Sequence, residues 1–202
     1  ESSLSGVGKT MLPEDRLWYR RTFSVPSGWK DMKVILHFEA VDWSAVVWVN
    51  GSLVGAHKGA YDRFSFNITP FLKERGAQEI VVAVDDPSST GEQPRGKQQM
   101  PQQGIWYTPV SGIWQTVWLE ALDWEASLAE ARITPCVDRE KVSVIPILME
   151  PQKDGYTVEV SIFDGNTKVA GAAIPANHEA EIDMGDPKLW SCLLYTSPSP
   201  RD

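Results

Sequence analysis

The chain has 202 residues, 42% hydrophobic and 23% charged, enough to bury a sizeable core in one large domain or two of ordinary size. A formal net charge of -8 without a concentrated basic face argues against a nucleic-acid partner. No apolar run is long enough for a membrane span or signal peptide, so no membrane partner is expected. The first residue is Glu1, not methionine, which leaves the compartment open between cytoplasm and periplasm or exterior.

The two cysteines, Cys136 and Cys192, lie far apart and fit no metal or redox spacing. Nine tryptophans stand out; tryptophan fills the cores of β-sandwiches and also stacks on sugar faces.

In chain order the first candidate motif is "GVGKT", Gly6 to Thr10. A phosphate-binding loop needs a glycine where Ser3 stands, and Pro13 falls where its helix should run, so the motif fails. Alternation of period two then dominates. In "KVILHFEAVDW", Val34, Leu36 and Phe38 point one way, and Ile35, His37 and Glu39 the other. The strand through Val47 and Val49 runs into Asn50-Gly51, a pair that accepts positive φ in a type I′ turn and so predicts a β-hairpin. Further strands read at Phe64, Phe66 and Ile68, at Ile80, Val82 and Val84, and at Val117, Leu119 and Ala121. Short strands without a long amphipathic helix predict an all-β antiparallel sandwich.

From Asp85 to Gln115 the pattern lapses into about thirty residues of Gly, Pro, Ser and Gln punctuated by aromatics, and loops of that length are functional or disordered. Arg95, Lys97 and Gln98 supply donors for hydroxyls or carboxylates, while Trp106 and Tyr107 offer apolar faces for a pyranose ring. The competing reading folds these aromatics back on the sandwich. Asp85 and Asp86 close a strand before Pro87, where aspartate forms turns, and Ser111 to Trp114 turn into the last strand with Gly112 permitting close backbone approach. The histidines His37, His57 and His178 are scattered, so no metal site is expected. After a charged stretch near Trp124 weaker strands follow at "EARITP", "KVSVIPILM", "YTVEVSIFD" and "EAEIDM", which places a domain boundary there.

"LWYRRTF" (17–23), "LHFEAVDWSAVVWVNGSLVGAHKGAYDRFSFNIT" (36–69), "DDPSSTGEQPRGKQ" (85–98) and "IWYTPVSGIWQTVWLE" (105–120) together resemble the N-terminal sugar-binding domain of glycoside hydrolase family 2. This family comprises β-galactosidases, β-glucuronidases and β-mannosidases. "ESSLSG" resembles the segment just ahead of that domain. The resemblance implies a jelly-roll sandwich over residues 1–122 and an incomplete immunoglobulin-like sandwich over 123–191, where "DPKLWS" resembles the approach to its closing strand. It implies a retaining β-glycosidase whose catalysis belongs to a third domain, a TIM barrel carrying two glutamates, one of them after an asparagine. No Asn-Glu pair occurs here, and such a barrel takes about 250 residues, so no catalytic residue is assigned to this chain and no cofactor is implied. The implied partners are a β-linked carbohydrate and the chain's own catalytic domain.

By the same resemblance the loop residues Arg95, Lys97, Gln98, Trp106 and Tyr107 reach the active-site rim. In some β-galactosidases an acid shortly before the Ser-Gly-Ile segment contacts the sugar; here "GIWYTPV" has Trp106 near that place and no acid. The tail "CLLYTSPSPRD", 192–202, resembles a reading-frame translation of the transposon-end adaptor used in sequencing libraries and is expected to be a processing scar. A stand-alone carbohydrate-binding or adhesion module on the same jelly roll is the alternative.

Overall fold

The computed structural model describes residues 11–149 and 155–189. The stretches "ESSLSG" and "GVGKT" and the tail from Cys192 lie outside the described residues. The chain divides into two compact units, Glu1–Asp123 and Trp124–Asp202. Both are built from strands, and no α-helix occurs among the described residues; single 3-10 turns form at Ser27–Trp29, Thr69–Phe71 and Val137–Arg139.

The first unit holds β1 (Arg16–Phe23), β2 (Lys33–Phe38), β3 (Val41–Asp42), β4 (Ser44–Val49), β5 (Ser52–Lys58), β6 (Phe64–Asn67), β7 (Gln78–Asp85), β8 (Gly112–Ile113) and β9 (Val117–Leu122). They pair antiparallel into a four-stranded sheet β1-β7-β4-β5, a three-stranded sheet β6-β2-β9 and a short ladder β3-β8. The inward positions follow the period-two pattern: Val34, Leu36 and Phe38 of β2, Ala45, Val47 and Val49 of β4, and Val82 and Val84 of β7 form one buried cluster with Val41 and Ile68. Ile35, expected on the solvent face, is itself 5% exposed. It sits on the central strand between Asn67 and Glu120 of the flanking strands, whose side chains share its face.

The β4–β5 hairpin turns at Asn50 (φ 51) and Gly51 (φ 82), both in the left-handed region that the sequence pair predicts. Asn50 does more than turn. Its Nδ2 donates to Phe71 O at 2.8 Å and to Gln78 Oε1 at 2.7 Å, and its Oδ1 accepts Glu79 N–H at 3.0 Å. The hairpin end is thereby fastened to the start of β7.

Strand β1 carries no clean alternation, because Arg20 and Arg21 stand in succession, yet Leu17, Tyr19 and Phe23 pack on the core. Its outward arginines meet β7: Arg16 Nε lies 2.7 Å from Asp85, and Arg20 Nη2 lies 2.6 Å from Glu79. Such exposed pairs fix register more than they stabilise.

The second unit holds β10 (Leu128–Cys136), β11 (Lys141–Leu148), β12 (Thr157–Asp164), β13 (Thr167–Pro175) and β14 (Ala180–Asp183), in a sheet β10-β11-β14 and a hairpin β12-β13. Strand β13, "TKVAGAAIP", escapes a pattern reading because alanine and glycine dilute its alternation. The hairpin turns on Gly165 (φ 58), at the first central position, where a type II′ turn takes its glycine. The buried cluster is small, Val144, Ile174 and Ile182. Beside it lies an apolar trough of about 470 Å³ lined by residues including Ile133, Val142, Val160, Ile162 and Met184.

Candidate functional site

The segment between β7 and β8 folds on itself through short-range bonds. Asp86 Oδ1 accepts Ser88 N–H at 2.7 Å, the turn role its sequence position suggests. Thr90 N–H reaches Pro87 O at 2.9 Å, and Gln93 Nε2 spans Ser88 O at 3.0 Å and Thr90 O at 2.8 Å. Farther on, a backbone bridge joins Gln98 to Tyr107: Tyr107 N–H donates to Lys97 O at 2.8 Å and Gln99 N–H to Tyr107 O at 3.1 Å. Four of the five residues proposed for sugar contact, Lys97, Gln98, Trp106 and Tyr107, are therefore adjacent in space, with Arg95 one turn away.

They differ in what remains available. Gln98 spends its side-chain amide internally, donating to Arg95 O at 3.2 Å and accepting Val110 N–H, so it shapes the loop. Arg95 gives one of its five donors to Ser89 O. Trp106 and Tyr107 are 40% and 65% exposed, with Ile105 beside them at 74%. The aromatics of this loop tip project from the sandwich. Trp114, just past the loop, behaves differently: its Nε1 donates to Ala60 O at 2.8 Å and its ring meets Tyr61 edge to face.

Where the loop joins the sandwich, Gly112 of β8 pairs with Asp42 of β3, and Ser111 Oγ donates to Asp86 Oδ2. Asp42 and Asp86 are 8% and 3% exposed and share a narrow crevice with Ser88, Gln93, Arg95 and Gln98. Burial, and secondarily the Asp86 carboxylate, pushes the Asp42 carboxyl up to about 6. Asp42 and Ser88 were not singled out from the sequence, though a signal was present. Continuing the inward parity of Val34, Leu36 and Phe38 reaches Ala40 and Asp42, and that of Ile80, Val82 and Val84 reaches Asp86. Asp86 is the next inward position after Val84, and Asp42 the second after Phe38.

The charged groups lining the crevice with Asp42 are Asp86 and Arg95. Asp42→Asn is expected to stabilise the chain by roughly 1–3 kcal/mol at about pH 8, at about 1.4 kcal/mol per pKa unit. Asp42 takes up its proton near 6 in the fold and near 4 in the unfolded chain, so its contribution is complete below about pH 4 and lost as pH rises through 6. The advantage of asparagine should shrink as pH falls across that window. A variant less stable than wild type at about pH 8 in urea titrations would mean the carboxylate is well accommodated.

A sequence profile described as "Glycosyl hydrolases family 2, sugar binding domain" matches residues 9–122. A β-galactosidase of Thermoanaerobacter pseudethanolicus is 35% identical over 163 residues, covering 73% of this chain and 21% of its own length. A putative β-glucuronidase of Formosa agariphila is 28% identical over 190 residues, covering 89% of this chain and 22% of its own. Among solved structures, a β-glucuronidase of Bacteroides uniformis superposes with a TM-score of 0.58 at 26% identity, over 86% of this chain and 22% of that one. The chain thus spans about a fifth of the length of these relatives.

Proposed function

Because the chain belongs to glycosyl hydrolase family 2 by its sugar-binding domain, we propose that it is the N-terminal, non-catalytic part of a retaining β-glycosidase. In this reading the two glutamates that cleave the bond reside in a domain outside these 202 residues. The second unit is an immunoglobulin-like spacer toward that domain. The loop between β7 and β8 forms part of the rim over which a β-linked sugar enters.

The observation that carries the rim assignment is the exposure of Trp106 and Tyr107 at the tip of a loop otherwise consumed by its own hydrogen bonds. Lys97, exposed on the same bridge, adds a cation beside the rings. An indole or phenol ring over the C–H face of a pyranose contributes about 0.5–1.5 kcal/mol, or about 2- to 12-fold in KM.

Two measurements test this. The 202-residue chain should not hydrolyse aryl β-galactosides or β-glucuronides; turnover abolished by a substitution within these residues would overturn the non-catalytic reading. In the enzyme encoded by the full gene, Trp106→Ala and Tyr107→Ala should each raise KM several-fold with little change in kcat, the signature of lost ground-state binding. Unchanged KM in both variants would remove the loop from the rim.

A further inference from the structure

The outer face of the four-stranded sheet carries two tryptophans that take no part in the buried cluster. Trp18, Ala83 and Trp48 occupy outward positions of β1, β7 and β4, alternating with the core residues of those strands. Strands β1 and β4 flank β7, about 9–10 Å apart at ordinary strand spacing, yet the two indole centroids lie 5.8 Å apart with 27° between planes. The rings therefore lean toward each other over β7. Ala83, the register partner of Trp18, is 0% exposed despite its outward position, roofed by this pair. Trp18 itself remains 60% exposed. Trp48 backs one face of its indole, so the open surface is the opposite face and the edge. With Val81 and the exposed Leu53 as register neighbours of Trp48, the apolar patch runs across the sheet, and a contiguous patch of this kind marks an interaction site.

What flanks the ring decides the kind of partner. Arg16 and Arg20 lie two positions either side of Trp18 and share its exposed face. Arg16 Nε donates to Asp85 at 2.7 Å, and Arg20 reaches Glu79 through Nε at 2.8 Å and Nη2 at 2.6 Å. Arg16 thus engages one of its five donors, and both carboxylates keep further lone pairs. The core of a protein interface is depleted of charge, and a protein covering Trp18 would have to desolvate both ion pairs. A sugar answers them in place: its C–H face lies on the indole while its hydroxyls, each a donor and an acceptor, meet guanidinium N–H and carboxylate oxygen. The two pairs balance in charge, which suits an uncharged ligand.

We propose that Trp18, backed by Trp48 and flanked by the Arg16–Asp85 and Arg20–Glu79 pairs, binds an uncharged β-linked glycan on the outer face of this sheet. The β linkage rests on the glycosidase reading; the stacking surface does not. The site uses none of the residues assigned to the rim. Because Trp48 and the ion pairs hold its parts in position, little side-chain freedom is lost on binding.

The test is affinity electrophoresis of the 202-residue chain through gels containing mixed-linkage β-glucan, xyloglucan, galactomannan or pectic galactan, with α-linked dextran as the comparison. Wild type should be retarded by at least one of the β-linked polymers and not by dextran. Trp18→Ala should bind that polymer about tenfold more weakly. Trp18→Phe should recover part of the loss, and Arg20→Met should weaken binding several-fold. Far-UV circular dichroism matching wild type shows each variant to be folded, and the phenylalanine and methionine variants carry the test if alanine does not fold. The glycosidase reading is judged separately, by hydrolysis of aryl β-glycosides with the enzyme of the full gene, so failure of that reading and failure of this site are distinguishable. Retardation by none of the β-linked polymers, equal retardation by dextran, or a folded Trp18→Ala chain retained like wild type would each overturn the proposal. So would a wild-type dimer in sedimentation that Trp18→Ala dissociates, because the face would then be an interface between copies.

Discussion

Gly112→Ala is expected to destabilise the first unit by roughly 3–5 kcal/mol, adding overpacking to backbone strain. A Cβ at this position would lie 2.1 Å from the Tyr19 hydroxyl and 2.9 Å from Leu17 Cδ1, and the residue sits at φ +96, where side-chain-bearing residues are rare. Neither neighbour can retreat easily. Tyr19 and Leu17 both pack against the buried cluster, and the Tyr19 hydroxyl accepts the Ile113 N–H at 3.3 Å. The expected loss corresponds to a fall in melting temperature of about 10 °C or more. Seven of the nine tryptophans lie in the first unit, so fluorescence during urea unfolding reports mainly on it. Tyr19→Phe removes the nearest atom, and in the double variant it should recover part of the loss while the strain at φ +96 persists. A Gly112→Ala protein within about 1 kcal/mol of wild type would show that β8 can shift away from β1.

The contrast between Gly112 and Asp42 explains what a reader of the sequence could and could not find. A glycine inside "SGIW" signals close backbone approach without naming the approaching group, and Tyr19 lies 93 positions earlier on a strand whose paired arginines hide its alternation. The core was legible because hydrophobic period two is local: Val34, Leu36 and Phe38 declare their face within five residues. The hairpin was legible because Asn50-Gly51 encodes its own dihedral angles. The crevice was not, because it needs β3, the end of β7 and the loop after it to meet, which is a property of sheet order rather than of any one segment. Among the loop residues, donors such as Arg95 and Gln98 cannot be separated by composition from the exposed aromatics. Only the placed chain tells which side chains are spent on Ser89 O, Arg95 O and Val110 N–H.

The sandwich that presents this loop depends on a stack of three rings. Phe64 lies between Phe38, at 4.8 Å and 8° between planes, and His57, at 4.1 Å and 14°. Phe38 is fully buried on the central strand β2, between Phe64 on β6 and Val117 on β9. Phe38→Ala removes a side chain with no exposed surface and leaves one face of Phe64 uncovered, with an expected cost of about 3–5 kcal/mol, the range for phenylalanine truncation in a close-packed core. His57 raises the stakes, since its Nε2 is buried without a partner and its ring is held by the stack. Loss of Phe38 should therefore loosen β5 and β6 together, seen as accelerated amide exchange in both strands as well as a lower urea midpoint. Phe38→Leu keeps most of the volume and should cost clearly less, by roughly half. If leucine and alanine cost the same, ring stacking rather than cavity formation sets the stability of this sheet; a loss below about 1 kcal/mol for alanine would mean the two sheets close over the gap.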